Sequence, residues 1–159
     1  MIKLKIVSVG RMKEKYWLAA QEEYLKRLKR FAQVETAELP DLPTPDDPTD
    51  AERRSVLRRE GEKVLSAIRG YDIVCALAIE GREYDSPALA KALGAHFDMG
   101  RSVCFIIGGS LGLDEEIKRQ ADMLLSFSRL TLPHRLARIV LLEQLFRSFK
   151  ILNGESYHK

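Results

Sequence analysis

The densest chemistry in this 159-residue chain belongs to backbone rather than to side chains. In Phe105–Leu113, FIIGGSLGL, three apolar residues run into Gly108, Gly109 and Gly112. Glycine at that density lets the main chain turn through positive φ and lets a ligand lie against bare backbone. The stretch lacks the Lys-Ser/Thr pair of a phosphate-binding P-loop and the spacing of G-x-G-x-x-G. The helix expected behind it opens Asp114-Glu115-Glu116, and carboxylates at the positive end of a helix dipole disfavour phosphate. An adenosine joined to an amino acid through a sulfonium fits these constraints, and a dinucleotide does not. A purely structural glycine turn is the competing reading.

Two further segments resemble it in position. Leu77-Ala78-Ile79-Glu80-Gly81 leaves one apolar run, and Phe127-Ser128-Arg129-Leu130-Thr131-Leu132 leaves another. Were all three preceding strands parallel, their exits would share one sheet edge and enclose one pocket, where serine and threonine could read an adenine edge. His134 and the terminal Tyr157-His158-Lys159 add titratable groups. Three histidines with Cys75 and Cys104 show no metal-ligand spacing, so no metal is expected. Both cysteines lie inside apolar runs and read as buried reduced thiols.

The elements that must position these residues follow from periodicity. Ile2–Val9 alternates as a strand. Trp17, Ala20, Tyr24, Leu28 and Phe31 mark one face of a helix over Lys13–Phe31. Its other face carries Lys13, Lys15, Lys26, Arg27, Lys29 and Arg30, either a solvated surface or an RNA-facing one. Val34–Leu39 is a second strand. Pro40, Pro43, Pro45 and Pro48 then impose a surface loop. Thr49 and Glu52 have capping-box spacing at the start of a helix whose C′ residue would be Gly70. Asp72–Ile79 is an apolar strand that Glu80-Gly81-Arg82 leaves, and Ser86-Pro87 opens a helix. Ser102–Ile107 is a strand, Asp114 caps a short helix over Glu115–Ala121, and Met123–Phe127 is the fifth strand. Pro133 suits the first turn of a long helix ending at Leu152. Strands alternating with helices predict an α/β fold, a mostly parallel five-stranded sheet with helices on both faces, in one domain over residues 1–159.

The last helix carries more apolar surface than one sheet face covers: Leu136, Ile139, Val140, Leu142, Leu145, Phe146 and Phe149. A subunit interface and a deeply buried helix both explain that excess. The net charge of +3 does not by itself require a nucleic-acid partner. No apolar run reaches the ~20 residues needed to span a membrane. The first residues lack a signal-peptide core, so a reducing cytoplasm is expected.

IIGGSLGL, SFSRLTLPH, LLEQLFRSFKI and the ending Tyr157-His158-Lys159, together with the opening IVSVGRMKEKYW, resemble one family across essentially the whole chain. It is the ribosomal RNA large subunit methyltransferase H family, of the SPOUT class. The resemblance implies a homodimer that uses S-adenosyl-L-methionine to methylate N3 of a pseudouridine in 23S ribosomal RNA, within the assembled ribosome. It also implies a C-terminal trefoil knot, which topology rules alone would disfavour. Carried over by position, the cofactor residues are Leu77, Gly108, Phe127, Ser128, Arg129, Leu130, Thr131 and Leu132. Similar chains often hold an acidic residue where this one has Ala78, and Glu80 stands two positions on.

Methyl transfer to a weakly acidic imide needs a base and a donor for the developing negative oxygen. His158 and Tyr157 are the expected bases, with Arg135 or Arg138 as the donor. Arg11, Lys13 and Lys15 are expected to meet phosphates. A non-catalytic RNA-binding α/β module is the alternative. A dinucleotide-dependent oxidoreductase would need phosphate at Asp114, where the carboxylates disfavour it.

Overall fold

The computed structural model describes residues 1–157. Five strands, β1 (Ile2–Val9), β2 (Ala32–Leu39), β3 (Ile73–Glu83), β4 (Val103–Ile107) and β5 (Met123–Ser126), alternate with five helices. These are α1 (Lys15–Leu28), α2 (Asp50–Ala67), α3 (Ser86–Asp98), α4 (Glu115–Gln120) and α5 (His134–Leu152). The strands form one sheet in the order β2-β1-β4-β3-β5. Every pairing is parallel, with Ile6 beside Thr36 and Phe105, and Cys75 beside Phe105 and Met123.

Two apolar layers cover the sheet, and strand alternation assigns residues to them. Leu4, Ile6 and Phe105 pack with Leu28, Leu93, Leu141 and Leu145, placing α1, α3 and α5 on one face. Val9, Ala76 and Ile106 pack with Val64 and Ile117, placing α2 and α4 on the other. Phe105 and Ile106 therefore point oppositely, as a strand covered on both faces requires. Each such side chain contributes about 1.5–3 kcal/mol on burial. Phe31 and Phe97 stack on Phe149 from either side, both with ring centroids 5.2 Å apart, tying the end of α1 and α3 to α5.

Helix starts follow local chemistry. Thr49 accepts from the Glu52 amide while Glu52 accepts from the Thr49 amide, a complete capping box. Asp85 caps α3, which opens at Ser86-Pro87 as expected, by accepting from the Ala88 amide at 2.8 Å.

Several expected boundaries shift. The first helix is shorter than Lys13–Phe31, because Glu14 is its N-cap and the chain turns after Lys29. Asp114 stands at the N-cap of α4 but makes no capping hydrogen bond. Pro133 precedes α5 as its N-cap rather than sitting inside its first turn. Gly70 has φ +85° two residues beyond the C-cap Ile68, so the helix closes one residue earlier than expected. β5 stops at Ser126, leaving Phe127 outside it.

The largest departure is in β3, which runs past Ile79 to Glu83. Leu77 pairs with Leu125, and then Arg82 pairs with the same residue, so Ala78–Gly81 bulge from the ladder. Gly81 makes the bulge possible: a Cβ there would sit 2.8 Å from the Leu124 backbone. The Glu80-Gly81-Arg82 segment is thus a bulge within a strand, not its exit.

Candidate functional site

Parallel strands bring the three segments to one edge. Beyond the carboxyl ends of β4 and β5, and beside the bulge of β3, lies a cavity of about 390 Å³. The β3 bulge supplies Leu77, Ala78, Ile79 and Glu80, and the glycine turn supplies Gly108 through Leu113. The segment after β5 supplies Phe127, Ser128, Leu130, Thr131 and Leu132, while His134 and Ala137 of α5 close the rim. Seven of the eight expected cofactor residues thus line one cavity; Arg129 is exposed and is not among the residues that line it.

The glycine turn is shaped by its own packing. The Gly112 amide donates to the Gly109 carbonyl at 3.0 Å, and Gly112 takes φ +83°. A Cβ on Gly108 would meet the Gly112 carbonyl oxygen at 2.4 Å. Gly108 allows the turn to close on itself and also lines the cavity. After β5, the Ser126 hydroxyl donates to the Ser128 carbonyl and the Leu130 amide donates to the Ser128 hydroxyl, both at 3.0 Å. These local bonds hold the loop in a non-helical path.

The lining is neutral apart from one pair, which sequence reading did not assemble. Lys118 of α4 donates to Glu80 at 2.6 Å and to Glu115 at 3.2 Å. The ammonium holds Glu80 below the usual carboxylate range. Burial pulls the Lys118 pKa down, but its bonds to Glu80 and Glu115 outweigh burial and raise it. His134 is pushed below its ordinary value, first by burial and then by Arg135 and Arg138, so it faces the cavity as a neutral imidazole at pH 7. Its Nδ1 is buried without a hydrogen-bond partner among the described residues.

The family model described as "Predicted SPOUT methyltransferase" matches residues 2–158. The chain belongs to the SPOUT methyltransferase family. It is 45% identical over 159 residues to the Ribosomal RNA large subunit methyltransferase H of Streptococcus thermophilus (strain CNRZ 1066), covering 99% of this chain and 100% of that protein. Identity to the protein of the same name from Streptococcus agalactiae serotype III (strain NEM316) is 46% over the same coverage. A solved probable methylase family protein from Haemophilus influenzae Rd KW20 shares the fold, with TM-score 0.56 and 12% identity over 99% of this chain and 70% of that one.

Other residues expected to act in this SPOUT methyltransferase lie apart from the cavity. Arg135, next to His134, is ion-paired with Glu14 at 3.2 Å and one-third exposed. Arg138 is 1% exposed: it donates to Glu38 at 2.8 Å, Gln21 at 3.2 Å and the Gly10 carbonyl at 3.4 Å. Arg138 is therefore a structural tie between α5, β2 and the end of β1. Tyr157 donates to Glu143 at 2.9 Å and meets the Phe146 ring edge-on. Burial, then Glu143, raises its pKa, so the phenol keeps its proton at neutral pH. Glu143 lies about 9 Å along α5 from Ala137 of the cavity, at about 1.5 Å per residue. His158 lies outside the described residues.

Of the apolar positions on α5, Leu142, Leu145, Phe146 and Phe149 are buried within the chain, while Leu136, Ile139 and Val140 are half-buried. Arg11, Lys13 and Lys15 are all exposed. Among the described residues no group of three or more His, Cys, Asp or Glu is placed to hold a metal, and no helix is long and apolar enough to cross a membrane.

Proposed function

We propose that this chain, a single SPOUT domain over residues 1–159, uses S-adenosyl-L-methionine to methylate N3 of a pseudouridine in 23S ribosomal RNA, acting on the assembled ribosome in the cytoplasm. The observation that carries the cofactor is the cavity of about 390 Å³, uncharged except at one edge, which suits a nucleoside without phosphate. The relatives of about 45% identity, whose name specifies ribosomal RNA of the large subunit, support that RNA as the substrate class.

When bound, the cofactor would supply a methyl group activated on a sulfonium, for transfer to N3 with a neutral thioether as the leaving group. The chain's own work is alignment and proton management. Leu77, Gly108 and the loop Phe127–Leu132 hold the nucleoside; Ser128 and Thr131 offer hydroxyls to its base edge. His158 takes the N3 proton. Arg135 swings from Glu14 to the oxygen that gains charge as the proton leaves. Tyr157, kept protonated, orients the tail rather than serving as base. Arg11, Lys13 and Lys15 meet phosphates.

Half-buried Leu136, Ile139 and Val140 support a homodimer through α5. A dimer also relieves the separation between cavity and tail, since the tail of one subunit can serve the cavity of its partner. The trefoil knot belongs to the same reading, as the C-terminal topology that the family resemblance implies.

Calorimetry with S-adenosyl-L-methionine separates this enzyme from a non-catalytic RNA-binding module, which would give no heat. Nucleoside mapping of ribosomes from a deletion strain and its complement tests the substrate: one methylpseudouridine should vanish and return. Its persistence in the deletion strain would refute the assignment.

A further inference from the structure

We propose that the Lys118–Glu80 pair is the subsite for the α-amino-acid end of the cofactor, with Lys118 taking the carboxylate and Glu80 the ammonium. This inference rests on the cavity being a sulfonium-nucleoside site. Its argument is one of charge. Adenine and ribose carry no charge, and neither does the cavity over most of its surface, from Leu77 through Thr131. The amino-acid end carries a positive and a negative group separated by one carbon. Glu80 and Lys118 are the only fully charged residues lining the cavity among the described residues, and they stand side by side at its edge.

The geometry suits exchange of partners. Lys118 is only 17% exposed, so its ammonium is held in place; Glu80 is 56% exposed and can turn without losing solvation elsewhere. An ammonium has three donors, and Lys118 directs two of them at Glu80 and Glu115. A ligand carboxylate can take the third, or replace Glu80, whose freed oxygen then accepts from the ligand ammonium. One pair becomes a four-membered ring of alternating charges, with no charge left unpaired. Glu115 adds a second carboxylate to the cluster, giving Glu80, Glu115 and Lys118 a surplus negative charge that complements the sulfonium cation. Carboxylates at the start of α4 thus acquire a role beyond excluding phosphate.

The test compares two ligands that share the nucleoside: S-adenosylhomocysteine, which keeps the amino-acid end, and 5′-methylthioadenosine, which lacks it. Binding to the full-length protein is measured by calorimetry for wild type, Lys118→Met, Lys118→Arg and Glu80→Gln. Wild type should favour S-adenosylhomocysteine by about tenfold or more, the lower range for a charge-assisted contact at a partly exposed site. Lys118→Met should remove most of that preference while leaving 5′-methylthioadenosine affinity unchanged; Lys118→Arg should restore part of it. Glu80→Gln should weaken only S-adenosylhomocysteine. Equal affinity of wild type for both ligands, or equal losses for both in Lys118→Met, would overturn the subsite while leaving the nucleoside site standing. If wild type bound neither ligand, the cofactor reading would fall, and the subsite with it.

Discussion

Replacing Arg138 by methionine isolates what a buried guanidinium does in this fold. Methionine keeps the apolar stem of the side chain but is shorter and removes its hydrogen bonds to Glu38 at 2.8 Å, Gln21 at 3.2 Å and the Gly10 carbonyl at 3.4 Å. The charge-assisted bond to Glu38 is worth about 1.5–3 kcal/mol, and the two longer ones add little. Orphaning a fully buried charge would cost about 3–5 kcal/mol, but Glu38 is one-third exposed and keeps the Met12 amide at 2.8 Å. A net loss of about 2–3 kcal/mol follows, or about 5–10 °C in Tm for a chain of this size. The pH dependence is a second signature. Burial alone would raise the Glu38 pKa, but the hydrogen bonds from Arg138 and Met12 outweigh it and lower it. A carboxyl whose folded pKa is depressed contributes stability above its unfolded pKa and loses it as pH falls through the folded value. The gap between wild type and Arg138→Met should therefore narrow below about pH 4.5. Thermal denaturation of Arg138→Met, Glu38→Gln and the double variant at pH 7 and pH 4 measures both effects. A loss under about 2 °C at pH 7, or a gap undiminished in acid, would refute the tie. Below its melting range the variant should transfer methyl at wild-type rates; a hundredfold fall in single turnover would return Arg138 to the chemistry.

Two other substitutions test the site's frame. Gly108→Ala places a Cβ 2.4 Å from the Gly112 carbonyl oxygen, a backbone atom that cannot rotate away. The turn must open by about 1 Å, costing about 1–3 kcal/mol, and S-adenosylhomocysteine affinity measured by calorimetry should fall at least about tenfold; unchanged binding would show that the turn does not form the wall. Glu60→Gln should instead stabilise the protein. Burial, with help from Asp41, raises the Glu60 pKa despite a hydrogen bond from the Leu42 amide. A raised folded pKa means that stability is lost as pH rises through the interval above about 4.5. Glutamine removes that loss, so its Tm should exceed wild type at pH 7.5 and match it near pH 4; a lower Tm at pH 7.5 would show that the carboxylate is well accommodated.

Much of the architecture was legible because it rests on periodicity. Alternation in Ile2–Val9, the apolar run in β4 and the Thr49–Glu52 box each act within a few residues, and each element formed there. β3 escaped because its continuation depends on a distant partner: nothing in Glu80-Gly81-Arg82 announces that Arg82 will pair again with Leu125. A glycine inside a strand was the available signal, since it marks bulges. The burial of Arg138 was hidden for a similar reason. On a helix wheel it is one more basic residue near Arg135, and only the return of β2 brings Glu38 beneath it.

The site divides along the same line. The three segments could be placed together from sequence, because parallel strands deliver their carboxyl ends to one edge, although the β3 segment proved to be a bulge rather than an exit. What sat between them could not, since Lys118 reaches Glu80 across 38 positions from the middle of a short helix. Read alone, Asp114-Glu115-Glu116 said only what the cavity would reject. With Lys118 set between Glu80 and Glu115, the same acidic turn becomes half of a charge pattern; under the proposed subsite, rejection of phosphate and selection of an amino-acid end would be one electrostatic property. Specificity of this kind does not lie in a motif. It arises where a bulge held open by Gly81 meets a helix that its own sequence makes acidic at the start and basic at the end.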